Sequence, residues 1–319
     1  MLEKIVSEIR GYEGITRKQR ISEVVETLRT VADFGSTVLG PGDDSGALKD
    51  GDGYLLLAAD GIWPKFLRKE PYAAGKAAVV VGANDIYAMG GRPLAMVNVV
   101  AGGEKDWLKE VLRGMEEGCQ RLRVPMVGGH FHPEADECSL SVATLGRATN
   151  LLKSISAEVG EELILALDLR GKPGGSRAVK SWDAFSDTSP GELRYRLEAL
   201  VSIAENKLAR AAKDVSNPGI LGSISTLLES SKKGGYIEIE RIPRPKGVTL
   251  REWLKVFPSY GFVLSARSQD SSRCLQIFRE RGVAAEVVGT VTDAQKIELS
   301  YQSKKAVLFD LSREGIIGI

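Results

Sequence analysis

The sequence predicts an α+β protein of two domains, and three observations carry that prediction. The chain has 319 residues, a length that suits about two domains. Segments with helical and strand periodicity alternate along it. The alternation restarts near residue 150, and each half ends in a strand that closes on similar residues, Leu-Gly-Arg at 145–147 and Val-Gly-Thr at 288–290. The expected domains are therefore 1–149 and 150–319.

The elements follow in order. Residues 17–33 place Ile21, Val24, Val25, Leu28 and Val31 at helical spacing, which predicts an amphipathic helix. The Gly-Asp-Gly at 51–53 marks a turn before the strand Tyr54–Ala59. Residues 71–90 are small and apolar and begin with Pro71, which suits the first turn of a helix. A buried-type strand is expected at 93–100, an amphipathic helix at 104–122, and two strands around 124–148 joined by a loop that carries His130 and His132. The second half predicts a strand at 161–169, helices at 191–213 and 218–231, a strand at 261–266, a helix from 271 and a strand at 284–292. The Gly-, Ser- and Asp-rich stretch 171–190 reads as a long loop, a length usually associated with function, and it is a candidate lid.

Bulk properties narrow the function. The chain is 43% apolar and 27% charged, enough for a sizeable core, and its net charge is +1. That balance gives no broad basic field for nucleic acid. No apolar run approaches membrane-spanning length, and the first residues are charged rather than signal-like. Cys119, Cys138 and Cys274 are odd in number and widely spaced, which argues for a reducing compartment. The expectation is a cytoplasmic protein.

There is no Walker loop, no Gly-x-Gly-x-x-Gly, no Cys-x-x-Cys pair and no Gly-x-Ser-x-Gly. Instead, carboxylates stand at the ends of elements. Asp43 and Asp44 follow a Pro-Gly turn, Asp60 closes a strand, and Asp85 sits inside an apolar helix. A turn or a strand end explains the first three without function. A buried Asp85 would be costly unless paired or bound to a cation. With no lysine or arginine beside these carboxylates in sequence, a divalent cation resolves their repulsion, and hard oxygen ligands select Mg²⁺ or Ca²⁺. Both histidines of the chain, His130 and His132, follow the pair Gly128-Gly129. On a strand, residues two apart share one face, so they could act together. As a turn, the stretch would do nothing.

The motifs GDDSGAL (43–48 in their core), a strand ending in Asp60, NDIYAMGGRP and VPMVGGH resemble the aminoimidazole ribonucleotide (AIR) synthetase superfamily, which includes thiamine-monophosphate kinase. ADGIW, NDIYAMGGRPLAMVNV, GGHFHP, DVSNPGILG and the FPSYGFVL region are closer still to the AIR synthase-related proteins called methanogenesis marker protein 2. The resemblance implies an N-terminal α/β domain that dimerises, a C-terminal α/β sandwich, and ATP held through Mg²⁺. It implies Asp43, Asp44, Asp60 and Asp85 as metal ligands, with Asp44 also catalytic. Asn84, Gly128, Gly129, Asp214 and Asn217 become candidate nucleotide contacts. His130 takes the position of a family carboxylate and becomes a candidate catalytic residue.

Two departures stand out. Asn217-Pro218 replaces an Asp-Gly in the second acidic motif, and a later acidic motif is FPSYGFVL, with no carboxylate. Asn217 could equally cap a helix that has Pro218 in its first turn. The resulting expectation is an ATP- and Mg²⁺-dependent homodimeric enzyme that phosphorylates or activates a small metabolite held against His130 and the 171–190 loop. The alternative is a nucleotide-binding regulator or assembly factor without efficient transfer.

Overall fold

Two large sheets account for the restart of the sequence pattern. The structure, a computed structural model, describes residues 1–174 and 179–318. The first sheet has six strands in the spatial order Thr37–Leu39, Gly46–Asp50, Gly53–Gly61, Ser139–Ala148, Arg92–Ala101 and Met126–His132. Its neighbours are antiparallel except the last pair, which is parallel. The second has seven, in the order Ala211–Asp214, Gly261–Ala266, Glu162–Leu167, Ala284–Thr292, Gly234–Glu238, Lys296–Tyr301 and Lys304–Asp310. Short strands Lys172–Pro173, Ser181–Asp183 and Phe257–Pro258 form a third, small sheet. Within the expected 171–190 loop, residues 175–178 lie outside the described residues. Among the described residues, no helix is long and apolar enough to cross a membrane.

The helix Pro71–Ala88 lies at the centre. Most of its residues are small and apolar, and from Ala74 onward it is largely buried, as suits a helix packed on several sides. Ala78, Val79 and Ala83 join a core that includes Val142 of the first sheet and Ile164, Phe262 and Leu264 of the second. It packs backbone to backbone on the helix Lys105–Leu122. A Cβ at Gly75 would meet the Val111 carbonyl oxygen at 2.1 Å, and one at Gly114 would meet the Tyr72 carbonyl oxygen at 2.0 Å. Gly114→Val is therefore expected to destabilise the fold by about 3 kcal/mol through forced separation of the two helices. A thermal melt matching the parent's would show that the helices do not need this contact.

The helix Leu2–Arg10 buries Leu2, Ile5, Val6 and Ile9 in the second core, beside Leu308 and Phe309, although it precedes the first sheet in sequence. Arg10 fixes it there through the Leu308 carbonyl (2.8 Å) and the Glu314 carboxylate (2.6 and 2.8 Å).

Three expected elements differ. Residues 17–33 do not form one helix. A 3-10 turn at Arg17–Arg20 precedes the helix Ile21–Leu28, and another spans Arg29–Val31. Of the apolar stripe only Val25 is fully buried, while Val24, Leu28 and Val31 stay exposed, so tertiary packing does not hold a long helix together. The expected helix 191–213 ends at Glu205. Lys207 turns the chain with φ 55°, and Ala211–Asp214 then pairs with Phe262–Ser265, where sheet pairing overrides helix propensity. The histidines are not in a loop: the strand Met126–His132 runs through both.

Candidate functional site

A cleft of about 240 Å³ opens where the two halves meet. Four elements bring side chains to it. The turn after Gly42, whose φ of 122° favours glycine, delivers Asp43 and Asp44. The strand Gly53–Gly61 delivers Asp60, on the face it shares with buried Val142. The central helix delivers Asp85, and the edge strand Ala211–Asp214 of the second sheet delivers Lys213 and Asp214. Lys18, Ser216, Asn217, Phe257 and Ile317 complete the wall.

Asp44 ties the halves together. It accepts a hydrogen bond from the Lys213 ammonium and another, at 3.3 Å, from the backbone N–H of Asp214. Oxygens of Asp44, Asp85 and Asp214 lie within 4.8 Å of one another. Asp85 and Asp214 are buried, and Asp214 Oδ2 has no hydrogen-bond partner. A buried carboxylate oxygen without a partner is costly. These three hard oxygen donors, one of them unsatisfied, fit a divalent cation such as Mg²⁺.

The electrostatics agree. Burial, reinforced by Asp60, Asp214 and Asp44, raises the Asp85 carboxyl well above the usual carboxylate range. Burial and Asp44 push Asp214 up to about 7, against the pull of Lys213 and Lys18. Burial also raises Asp60, opposed first by Lys18. The two lysines respond oppositely. Burial penalises Lys213, but Asp44, Asp214 and Asp43 outweigh it and hold the ammonium above its ordinary range. At Lys18, burial and the nearby Lys213 win, and the ammonium is lowered. Five aspartates face two lysines across the cleft, so negative charge is in excess only when the cluster is ionised.

The expectation that these carboxylates have no basic neighbour is thus corrected. Lys213 and Lys18 come from distant positions in the chain. Lys213 was legible only as the residue before Asp214, and Lys18 only as part of a polar run. Asp43 lines the cleft but spends its oxygens on backbone: Oδ1 accepts from the Asp44 N–H and Oδ2 from the Ser154 N–H, each at 2.9 Å. Burial and Asp44 push it up to about 6. Asn84 is buried and donates to the Ser259 carbonyl at 3.1 Å, pinning the central helix to the second half. Asn217 lines the cleft, and no side chain caps the helix Gly219–Ser230 that follows, so the capping role is not formed.

His130 and His132 are not brought to the carboxylates within this chain. Their strand is parallel to Arg92–Ala101, with His130 opposite Val99. Val97 and Val99 are exposed while Met96 and Val100 are buried, so His130 lies on the outer face of the sheet and Asp60 on the inner one. The two imidazoles touch edge to face, with ring centres 4.3 Å apart. Gly129 has a packing reason: a Cβ there would meet the Asn98 carbonyl oxygen at 2.5 Å. A Cβ at Gly128 would meet only the Val97 side chain, at an ordinary 3.8 Å.

Comparison with known proteins agrees with this architecture. The sequence matches the N-terminal domain of AIR synthase related protein over residues 42–148 and the corresponding C-terminal domain over residues 175–302. An uncharacterised protein of Synechocystis sp. is 38% identical over 320 residues, covering 100% of this chain and 98% of that protein. The chain belongs to the AIR synthase related family. Its fold is also that of T. maritima PurL complexed with ADP, with a TM-score of 0.72 at 19% identity over 87% of this chain. The match spans 47% of the PurL chain, about half its length. AaThiL complexed with AMPPCP and TMP has a TM-score of 0.66 at 19% identity, covering 91% of this chain and 96% of that one.

Proposed function

We propose that the protein is an ATP- and Mg²⁺-dependent enzyme that transfers a phosphoryl group to an oxygen of a small metabolite. The observation that carries this reading is the set of three converging carboxylates, one with a buried oxygen left without a partner. Support comes from the fold, shared with proteins whose structures hold ADP or AMPPCP. Asp44, Asp85 and Asp214 would hold the metal ion, which supplies charge neutralisation for the phosphates. Asp214 therefore joins Asp44 and Asp85 in the metal-binding role that the family resemblance implied for Asp43 and Asp60 as well. Lys213 and Lys18 contribute positive charge to the same cleft, and Ser216 and Asn217 offer hydrogen bonds beside it. In the transfer, an acceptor oxygen bonds to the γ-phosphorus while the bond to the β,γ-bridging oxygen breaks and ADP leaves. The proton of a hydroxyl acceptor passes to Asp60, whose burial makes it a better base than an ordinary carboxylate.

Slow ATP hydrolysis that accelerates when small metabolites from a cell extract are added is the expected result. Tight nucleotide binding with no acceleration by any extract fraction would instead favour a nucleotide-binding regulator.

We infer further that the working unit is a homodimer in the cytoplasm. Leu48, Leu57, Val97, Val99 and Leu145 are all exposed on one face of the first sheet, and exposed apolar faces of this kind mark interaction surfaces. Val99→Asp places a charge at its middle. Sedimentation of the parent as a dimer and of this variant as a monomer at micromolar concentration is expected. A monomeric parent would sink the inference.

A further inference from the structure

A second cavity, of about 610 Å³, lies along the central helix next to the acidic cleft. Lys76, Ala77 and Val80 face it from the same helix that turns Val81 and Asp85 toward the carboxylates. Phe257 borders both spaces. The volume is that of a pocket for a metabolite-sized molecule.

Its chemistry is distinct from that of the cleft. Phe66, Trp182, Phe185 and Phe257 give it aromatic walls. Trp182 is held in place: its indole N–H donates to the Asp168 carbonyl at 3.1 Å, and its ring meets Trp253 edge on, with centres 5.4 Å apart. The charged lining is balanced, with Lys69 and Lys76 against Glu70 and Asp183. Lys76 is already engaged by the Ser186 hydroxyl and lies 3.8 Å from Glu117 and 3.9 Å from Asp183. Asp183 in turn accepts from the backbone N–H groups of Phe185 and Ser186, each at 2.9 Å, and from the Ser186 hydroxyl at 2.6 Å. Lys76 and Asp183, satisfied in this way, offer little spare charge to an ionic ligand, and Lys69 stands exposed to solvent. Fixed aromatic faces favour a flat ring, which can stack or meet them edge on.

We propose that this cavity holds the phosphoryl acceptor, a small molecule with a neutral, flat aromatic or conjugated ring. Its hydroxyl or carboxylate extends past Phe257 to the carboxylate cluster. The acceptor role rests on the phosphoryl-transfer reading above; binding of the ring does not. The site of the acceptor thus lies beside the Ser181–Asp183 strand, on the inner side of the molecule from His130.

The test uses the full chain with indole as a neutral ring probe, followed by saturation-transfer NMR. Ala77→Phe fills the cavity from a helix position that faces empty space, and Phe66→Ala removes one wall. Calorimetry with AMPPCP and Mg²⁺ on the same samples reports the acidic cleft separately. Indole is expected to bind the parent and to bind each variant about tenfold more weakly or worse, as expected when a ring pocket is filled or loses a wall. Nucleotide binding is expected to stay at the parent level in both, which also shows that they are folded. Failure of indole to bind the parent, or equal binding to Ala77→Phe, overturns the proposal. Indole behaving as expected on a parent that binds no nucleotide keeps the ring site and overturns its role as an acceptor site.

Discussion

Asp85→Asn and Asp214→Asn should each weaken binding of AMPPCP in the presence of Mg²⁺ by about a hundredfold, or about 2.7 kcal/mol. Each change keeps the shape of the side chain and removes one of three anionic oxygens within 4.8 Å of one another. A hard divalent cation loses a charged ligand, while nucleotide binding measured in EDTA should change little. At alkaline pH without metal, where the cluster is driven to ionise, the same variants should melt higher than the parent, because each relieves a repulsion that the fold otherwise tolerates. Stability held back at a functional site in this way commonly returns about 0.5–2 kcal/mol when the site is neutralised. Parent-like Mg²⁺-dependent affinity in both variants would mean that the carboxylates are structural. Lower metal-free stability in both would mean that Lys213 and Lys18 need those charges more than the charges repel one another.

The second large effect is on pH. Asp43 and Asp214 titrate near 6 and 7 in the folded protein, and Asp60 and Asp85 are raised as well. An unfolded aspartate titrates at about 3.9. Between those values the folded state binds more protons than the unfolded one, so stability falls as pH rises. Moving one carboxyl from 3.8 to about 7 makes its ionisation in place cost about 4 kcal/mol. The metal-free melting temperature should therefore drop between pH 5 and pH 7.5 by on the order of 5 °C. Carboxylates held low, such as Glu8 beside Arg251 and Lys255 at about 2, are ionised when folded and mostly ionised when unfolded across this window, so they add little slope. Mg²⁺ with AMPPCP should flatten the curve by favouring the ionised cluster. Asp214→Asn should remove much of the slope without any metal. A metal-free melting temperature that is flat or rises over this range would contradict the buried-cluster account.

The local patterns of the sequence carried much of this architecture. Small apolar residues from Pro71 to Ala88 announced a buried helix, and the alternation of elements announced two sheets. Asp85 stood out because a carboxylate in such a helix needs a reason to be there. What local pattern does not contain is the meeting of distant segments. Asp214 joins Asp44 and Asp85 because an edge strand of the second sheet abuts the turn after Gly42. Periodicity had assigned that strand to a helix, since Ala211, Ala212 and Lys213 are good helix formers. Lys18 enters from a segment with only one fully buried apolar residue, Val25, among Val24, Val25, Leu28 and Val31. Spacing alone also could not tell which side of the sheet His130 takes, because register sets the face and a shift of one residue reverses it.

The central helix has a consequence for how the protein is made. Pro71–Ala88 is covered on one side by residues of the first sheet and on another by Ile164, Phe262 and Leu264. At translation rates of about 5–20 residues per second, Phe262 and Leu264 leave the ribosome roughly ten seconds or more after the helix does. Throughout that interval the side of the helix that faces the second sheet is incompletely covered. The nascent chain is then at its most adhesive, and holding chaperones have their natural point of engagement. The carboxylate cluster cannot form before Asp214 is synthesised, so the half-made protein carries the sticky surface well before it carries the binding site.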